Sequence, residues 1–363
     1  TYMTTKALKK TDLDFIIYNK TTKNKLSIVW LSVALCFLFL LSLFIGSSQI
    51  SFNEVVNSIT TFIVPWDTNL AYSNSSYIIL FYLRIPRSLL VILTGIILSA
   101  SGTGFQAIFK NPLADPYLLG VGTGAGLGAI LGLTIFNINF IFANLNAAVF
   151  AFVGGVFAVF STFVLSNYSK TNNQLSLILA GVAVTSLFGA LTTLLLITQD
   201  PDIKPMLSWL LGGFSLSSWE NFNIVLLFGF PSLIIIFLMS DKINLLNLDS
   251  ELISNLGINE GHSIKILIML STLATSVAVS QTGIIGFVGL VAPHISRMAW
   301  GSNAKYLLPQ SSLIGAIILL SSDMIAKTIM SPVEIPVGLI TAFLGFPFFV
   351  SLLRKESGKN WKI

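Results

Sequence analysis

Charged positions fall in short clusters along this chain, and between the clusters lie apolar runs long enough to matter. A membrane-crossing helix needs roughly 20 apolar residues. Leu26–Ile45 carries no charge and reads as span 1, and Ser88–Phe109 as span 2. Pro116–Ser169 is uncharged and has room for spans 3 and 4, with Asn137, Asn139, Asn144 and Asn146 marking the turn. Gln174–Thr198 is span 5 and Asn221–Ser240 span 6. Ile266–Ser296 is interrupted by Gly283, Gly286, Gly289 and Pro293, which predicts span 7, a tight turn near Thr282–Gly283, and a short span 8. Tyr306–Ser322 and Ile335–Leu353 complete a set of about ten.

Composition agrees: of 363 residues 54% are apolar and 10% charged, with a mean hydropathy of +0.85. Soluble domains carry about 25% charged residues, so the expected class is an all-α polytopic membrane protein. Residues 1–26 carry six lysines with Asp12 and Asp14 and lead into an apolar run without a small-residue cleavage site, so they read as a cytoplasmic tail and not a signal peptide. Residues 27–355 form the membrane domain, and 356–363 a second cytoplasmic tail. With both ends inside, all 20 Lys and Arg except Arg84, Arg87, Lys204 and Lys327 fall on the cytoplasmic side, as the positive-inside rule requires. The net charge of +5 is therefore topology, with membrane lipid as the surroundings, and not a nucleic-acid footprint.

Several chemistries are missing. The one cysteine, Cys36, excludes a disulfide framework and a cysteine metal site. No HExxH, GxSxG or GxxxxGK[ST] pattern occurs, so the chain is read as no enzyme, with no metal site or cofactor of its own. The run Gly122–Gly126 lacks the lysine of a phosphate loop; Gly120, Gly124, Gly128 and Gly132 instead make a small-residue stripe for close helix packing. Asp323 and Lys327 stand i,i+4 and can pair. Ion-coupled carriers usually need ionisable groups within their spans, and these spans hold almost none, which leaves a secondary transporter of a small solute as the alternative reading.

Four stretches exceed what membrane helices require: Arg84-Ile-Pro-Arg87 through Gly95, Ser101–Gln106 and Lys110-Asn-Pro-Leu-Ala-Asp-Pro116 to Gly122; Trp209-Leu-Leu-Gly-Gly-Phe214; Gly283–Arg297 with its Ala292-Pro-His-Ile-Ser296 core; and Leu307–Pro309 through Gly315 and Asp323 to Glu334-Ile-Pro-Val-Gly338 and Gly345-Phe-Pro347. Together, over residues 27–355, they resemble the FecCD-like permeases, the membrane subunits of type II ABC importers for iron-siderophores, haem and cobalamin. The resemblance implies ten helices per subunit in the type II ABC importer permease fold and a multi-pass place in a prokaryotic cytoplasmic membrane. It implies a second permease subunit, homo- or heterodimeric, and two cytoplasmic ATPase subunits that bind the ATP and Mg. An extracytoplasmic binding protein would hand over the substrate. Family frequency puts ferric siderophores first, then haem, then cobalamin.

The resemblance also suggests roles. Arg84, Arg87 and Lys327 are expected to dock the binding protein, against a plainer reading as interfacial snorkelling. The loop Asp249–Lys265, with coupling helices about 249–262, is expected to meet the ATPase through Leu252, Ile253, Ser254, Leu256, Gly257 and Ile258. The pathway would pass span 5, at Ser176, Thr185 and Ser186, with a gate at Asn172 and Asn173; Gly181 and Gly189 fit helix packing equally well. Gln106, Asn111, Pro112, Gly286, Gly289, Pro293, His294, Asp323, Pro336 and Gly338 read as structural, with a hydrogen bond favoured over metal ligation for His294.

Overall fold

The computed structural model describes residues 10–46, 51–63, 75–134, 143–168, 174–198, 203–255, 257 and 259–360. Among them the regular elements are all helical. In chain order they are α1 (Lys10–Phe44), α2 (Phe52–Ile63), α3 (Ser75–Ile108), α4 (Val121–Thr134), α5 (Ala143–Ser166), α6 (Gln174–Thr198), α7 (Ile203–Leu210), α8 (Trp219–Leu238), α9 (Ser240–Leu246), α10 (Ser250–Asn255), α11 (Glu260–Thr282), α12 (Val288–Trp300), α13 (Ala304–Ala326) and α14 (Val337–Asn360). Seven are long and apolar enough to cross a bilayer: α1 from Thr21, α3, α5 from Ala147, α6, α8, α11 and α13. Spans 3, 8 and 10 correspond to α4, α12 and the apolar part of α14.

Two helix starts differ most from the sequence reading. Span 1 continues back to Lys10, because no Gly or Pro interrupts residues 10–44. Span 2 starts at Ser75, not Ser88. Pro86 removes an amide donor and crowds the carbonyl four residues earlier, yet the helix passes through it, because Ile79–Arg84 widens into a π-helical turn just before it. The same device recurs in α8, where the π segment Val225–Gly229 precedes Pro231.

α4 has 14 residues and α12 has 13, so each is about 20 Å long, short of the ~30 Å hydrocarbon core. Their starts lie deep in the bundle. Gly289, one residue into α12, packs on the Leu98 carbonyl and Pro116, and a Cβ on Gly102 would collide with the Gly289 carbonyl; Leu98 and Gly102 lie midway to late in α3. The chain therefore dips into the bundle twice as irregular backbone, at 109–120 and at 283–287. Each of these re-entrant segments uses left-handed residues: Lys110 (φ 49°) and Gly120 (φ 88°) in the first, Gly283 (φ 70°) and Phe287 (φ 69°) in the second.

Backbone polar groups at that depth need protein partners. The Asp115 carboxylate accepts from Tyr117 N at 3.0 Å, and the Tyr117 hydroxyl donates to Ile285 O at 3.0 Å and accepts from Ile285 N at 3.3 Å. Thr162 donates to Leu119 O at 3.0 Å, and Gln106 Nε2 to Leu290 O at 3.2 Å. Tyr117 thus joins the first re-entrant segment directly to the second.

Close helix contacts hold the rest. Gly124 and Gly128 of α4 meet the Gly154 and Phe150 carbonyls of α5, Gly95 meets Gly315 between α3 and α13, and Gly181 meets the Leu118 carbonyl. The small-residue stripe is a packing seam, as the sequence suggested. At Gly189, by contrast, an added Cβ would touch nothing within 4 Å. Gly102→Ala is expected to lower the thermal midpoint of the detergent-solubilised protein sharply. Gly189→Ala should leave it unchanged or raise it slightly, since Ala in a helix interior is favoured over Gly by roughly 0.5–1 kcal/mol.

Candidate functional site

Three regions carry the residues singled out in the sequence, and they lie at opposite ends and on one flank. At the end of the bundle where α11 finishes and α14 begins, charged side chains from distant segments meet in a clasp. Arg87 of α3 donates from Nη2 to Asp323 Oδ1 at 2.8 Å, from Nε to the same oxygen at 3.1 Å, and from Nη1 to both Glu334 oxygens at 2.8 and 2.9 Å. Lys327 Nζ sits 3.2 Å from Asp323 Oδ2, the i,i+4 pair anticipated from spacing. Ser215 Oγ donates to Glu334 Oε2 at 2.8 Å. Two cations and two anions balance, so burial leaves no net charge. Burial works to raise the Glu334 carboxyl, and the Arg87 hydrogen bonds override it and hold it below the usual carboxylate range.

Arg84, Arg87 and Lys327, the three residues expected to dock a binding protein, all have partners within the chain. Arg84 is 6% exposed and donates to the Leu43 carbonyl at the end of α1. Arg87 and Lys327 are paired within the chain. None projects as a solvated prong. Arg84 and Arg87 lie on the continuous α3, which turns both inward, whereas Lys327 stands at the C-terminal end of α13. Glu334 completes the clasp, and nothing in the sequence beyond its Glu-Ile-Pro setting pointed to it.

Directly beneath the clasp three of the motif stretches join through backbone. Gly213 N donates to Thr282 O at 2.8 Å and Gly338 N to Gly212 O at 3.3 Å. Side chains on Gly212, Gly283 or Gly338 would strike the Ile284, Trp209 and Leu211 carbonyls respectively. Pro336 lies within 4.0 Å of a Cβ built on Gly213, whereas Gly286 faces open space. Asn111 accepts from Leu113 N at 2.9 Å and, with Pro112, starts the first re-entrant segment. Pro293 is buried in α12, and His294 makes an edge contact with Phe348 of α14, ring centroids 5.5 Å apart. Among the described residues no three His, Cys, Asp or Glu side chains gather into a metal site.

The opposite end carries the loop expected to couple to a partner. Ile253 of α10 is 1% exposed and Leu252 is 51% exposed. The expected shared face is therefore split: Ile253 anchors the helix to the bundle, and Leu252 points away. Gly257 follows with φ 70° and open space around it. Leu256 and Ile258, and the side chain of Ser254, lie outside the described residues. Lys110 Nζ donates to Leu248 O at 2.7 Å and lies 3.9 Å from Glu260, so it touches both shoulders of the loop.

On the flank, α6 is largely uncovered. Leu175, Leu179, Val182, Leu194 and Ile197 are exposed, and so is Ser186 on the same face. Thr185, one residue earlier, is rotated from Ser186 by about 100° of helix and packs near Gly120; Ser176 is half-buried. Asn172 and Asn173 lie outside the described residues. α14 likewise exposes Phe343, Leu344 and Phe346.

The chain resembles known proteins along most of its length. The profile of the FecCD transport family matches residues 34–355. The hemin transport system permease protein HmuU of Yersinia pestis is 34% identical over 342 residues, covering 93% of this chain and 98% of that protein. The Fe(3+)-citrate import system permease protein YfmE of Bacillus subtilis is 36% identical over 349 residues, covering 94% and 99%. A solved structure described as an inward-facing metal-chelate type ABC transporter superposes with a TM-score of 0.77 at 30% identity, over 90% of this chain and 98% of that one. With its motif segments brought together in one helical bundle and its length matched almost throughout, the chain belongs to the FecCD transport family.

Proposed function

We propose that this chain is the permease subunit of an ATP-binding-cassette importer that carries a metal chelate across the cytoplasmic membrane by alternating access. The observation that carries the reading is the near full-length likeness to permeases named for hemin and for ferric citrate. Ferric siderophore or citrate chelates come first as substrate, then haem, then cobalamin. The ten-span count follows if α4, α12 and α14 join the seven long helices. Both termini then lie in the cytoplasm, the lysine-bearing end with Lys110, Lys242, Lys265 and Lys305 faces inward, and the clasp faces outward. The open faces of α6 and α14 suit a second permease subunit and a shared pathway, with Ser186 lining it and Asn172 and Asn173 at the gate. Two ATPase subunits holding ATP and Mg meet Leu252 and Gly257, an exposed apolar side chain on a short helix being a common groove-docking element. Uptake into membrane vesicles should require ATP and survive an uncoupler; uptake that runs without ATP and collapses with the proton gradient would establish a secondary carrier instead.

Docking of an extracytoplasmic binding protein at Arg84, Arg87 and Lys327 requires its acidic groups to compete with Asp323 and Glu334. Glu334→Gln separates the two roles. If Arg87 docks, weakening its internal partner raises affinity for the binding protein severalfold; if the clasp is structural only, affinity stays fixed. In either case the variant should melt earlier at pH 7. Because the folded Glu334 carboxyl is held low, its stabilisation is present above the ordinary carboxylate pKa and is lost as pH falls through the folded value. The gap between variant and parent should therefore close below about pH 4.

At the inner end, Leu252→Asp should fold normally and lose about tenfold or more in ATPase binding, as expected for a buried interface anchor. Ile253→Asp should fail to fold, measured by size exclusion in detergent. Gly257→Arg, at a left-handed position costing roughly 1–2 kcal/mol for any other residue, is expected to raise ATP hydrolysed per substrate imported in reconstituted vesicles.

A further inference from the structure

A groove on the flank of the bundle runs into a polar cleft at the clasp end. The groove lies between α5, α8 and α11, encloses about 450 Å³, and is walled by Ala148, Val149, Phe152, Phe228, Leu273 and Val277. The cleft encloses about 550 Å³, and Ala148, Ile224, Ser280 and Gln281 line both spaces. Val149 and Phe228 on the groove's rim are more than half exposed, so it opens sideways, toward the bilayer core, along membrane-crossing helices.

Polarity changes along this space in one direction. At the clasp end the cleft presents the Ser208 and Ser217 hydroxyls and the Glu220 carboxylate, which make no side-chain hydrogen bond or ion pair among the described residues. Asn221 and Gln281 there are bonded to each other, Nδ2 to Oε1 at 2.8 Å. One and two turns further along α11 come Val277 and Leu273, and along α8 come Ile224 and Phe228, all apolar. No Lys or Arg is among the described lining residues, so Glu220 is the one charged side chain among them.

We propose that this space binds one phospholipid of the adjacent leaflet, one of its two acyl chains in the groove and an ammonium-bearing headgroup against Glu220. The apolar-to-polar gradient matches a lipid end to end, and pockets of roughly 300–1,000 Å³ suit a ligand of that size. A partner helix fits poorly, since a cylinder about 10 Å across fills the groove's volume in about one turn. An anionic headgroup would bring like charge to the Glu220 carboxylate, with no Lys or Arg among the described lining residues to offset it.

The test is native mass spectrometry of the full chain, purified with whatever subunits accompany it, after reconstitution in nanodiscs holding equal phosphatidylethanolamine and phosphatidylglycerol. One retained phosphatidylethanolamine is expected, favoured about tenfold, the effect of one charge-assisted hydrogen bond. Ala148→Phe, which fills the junction of groove and cleft, should abolish retention. Glu220→Lys, at an exposed position, should keep a lipid and reverse the preference toward phosphatidylglycerol; it keeps the proposal testable should Ala148→Phe fail to fold. Retention of no lipid, retention unaffected by Ala148→Phe, or a preference unmoved by Glu220→Lys overturns the assignment.

Discussion

Inside a bilayer every backbone amide and carbonyl must find its partner within the protein, and this chain twice brings irregular backbone into its core. That constraint organises the rest of the structure. The segments at 109–120 and 283–287 would each leave several unpaired peptide groups, a cost of a few kcal/mol apiece. Asp115, Tyr117 and Thr162 supply hydrogen bonds there, and Gln106 reaches Leu290 O in the first turn of α12. Gly102, Gly283, Gly289 and Gly338 supply the space for backbone to touch backbone. The motif stretches are thus largely one device, the repair of two broken crossings.

Broken crossings give this fold what intact helices would not. α4 and α12 are short elements whose starts are tied to each other through Tyr117. The second segment also abuts Gly212 and Gly338, beneath the clasp of Arg87, Asp323, Glu334 and Lys327. A continuous chain of backbone contacts therefore leads from the clasp end to the middle of the bundle. At the far end, Lys110 lies in the first segment and touches both shoulders of the loop bearing α10. The two ends of the bundle are thus joined through packed elements and not through loops.

The clasp shows how a membrane protein keeps charge near its apolar core. Arg87 offers five donors in a fixed fork and uses it two-pronged on Glu334 while also holding Asp323. Removing one partner leaves the others buried without compensation, a larger loss than the set contributes as a whole. Residues that looked like outward-facing contacts in the sequence are thereby committed to the fold first.

Sequence alone determined the class, the positions of the long helices, the break at Thr282–Gly283, the helix-packing role of the α4 glycines and the Asp323–Lys327 pair. These rest on hydropathy, on chain-breaking residues and on i,i+4 spacing, all local properties. Tertiary structure decided what depends on neighbours distant in the chain. It brought Glu334, remote in sequence, onto Arg87 and turned Arg84 against α1. It separated Leu252 from Ile253 although both are apolar and adjacent. It joined Tyr117 to Ile285. The physical reason is the same in each case: a local pattern sets which helix forms, but which face of it is buried, and against what, is settled only when the other helices pack around it.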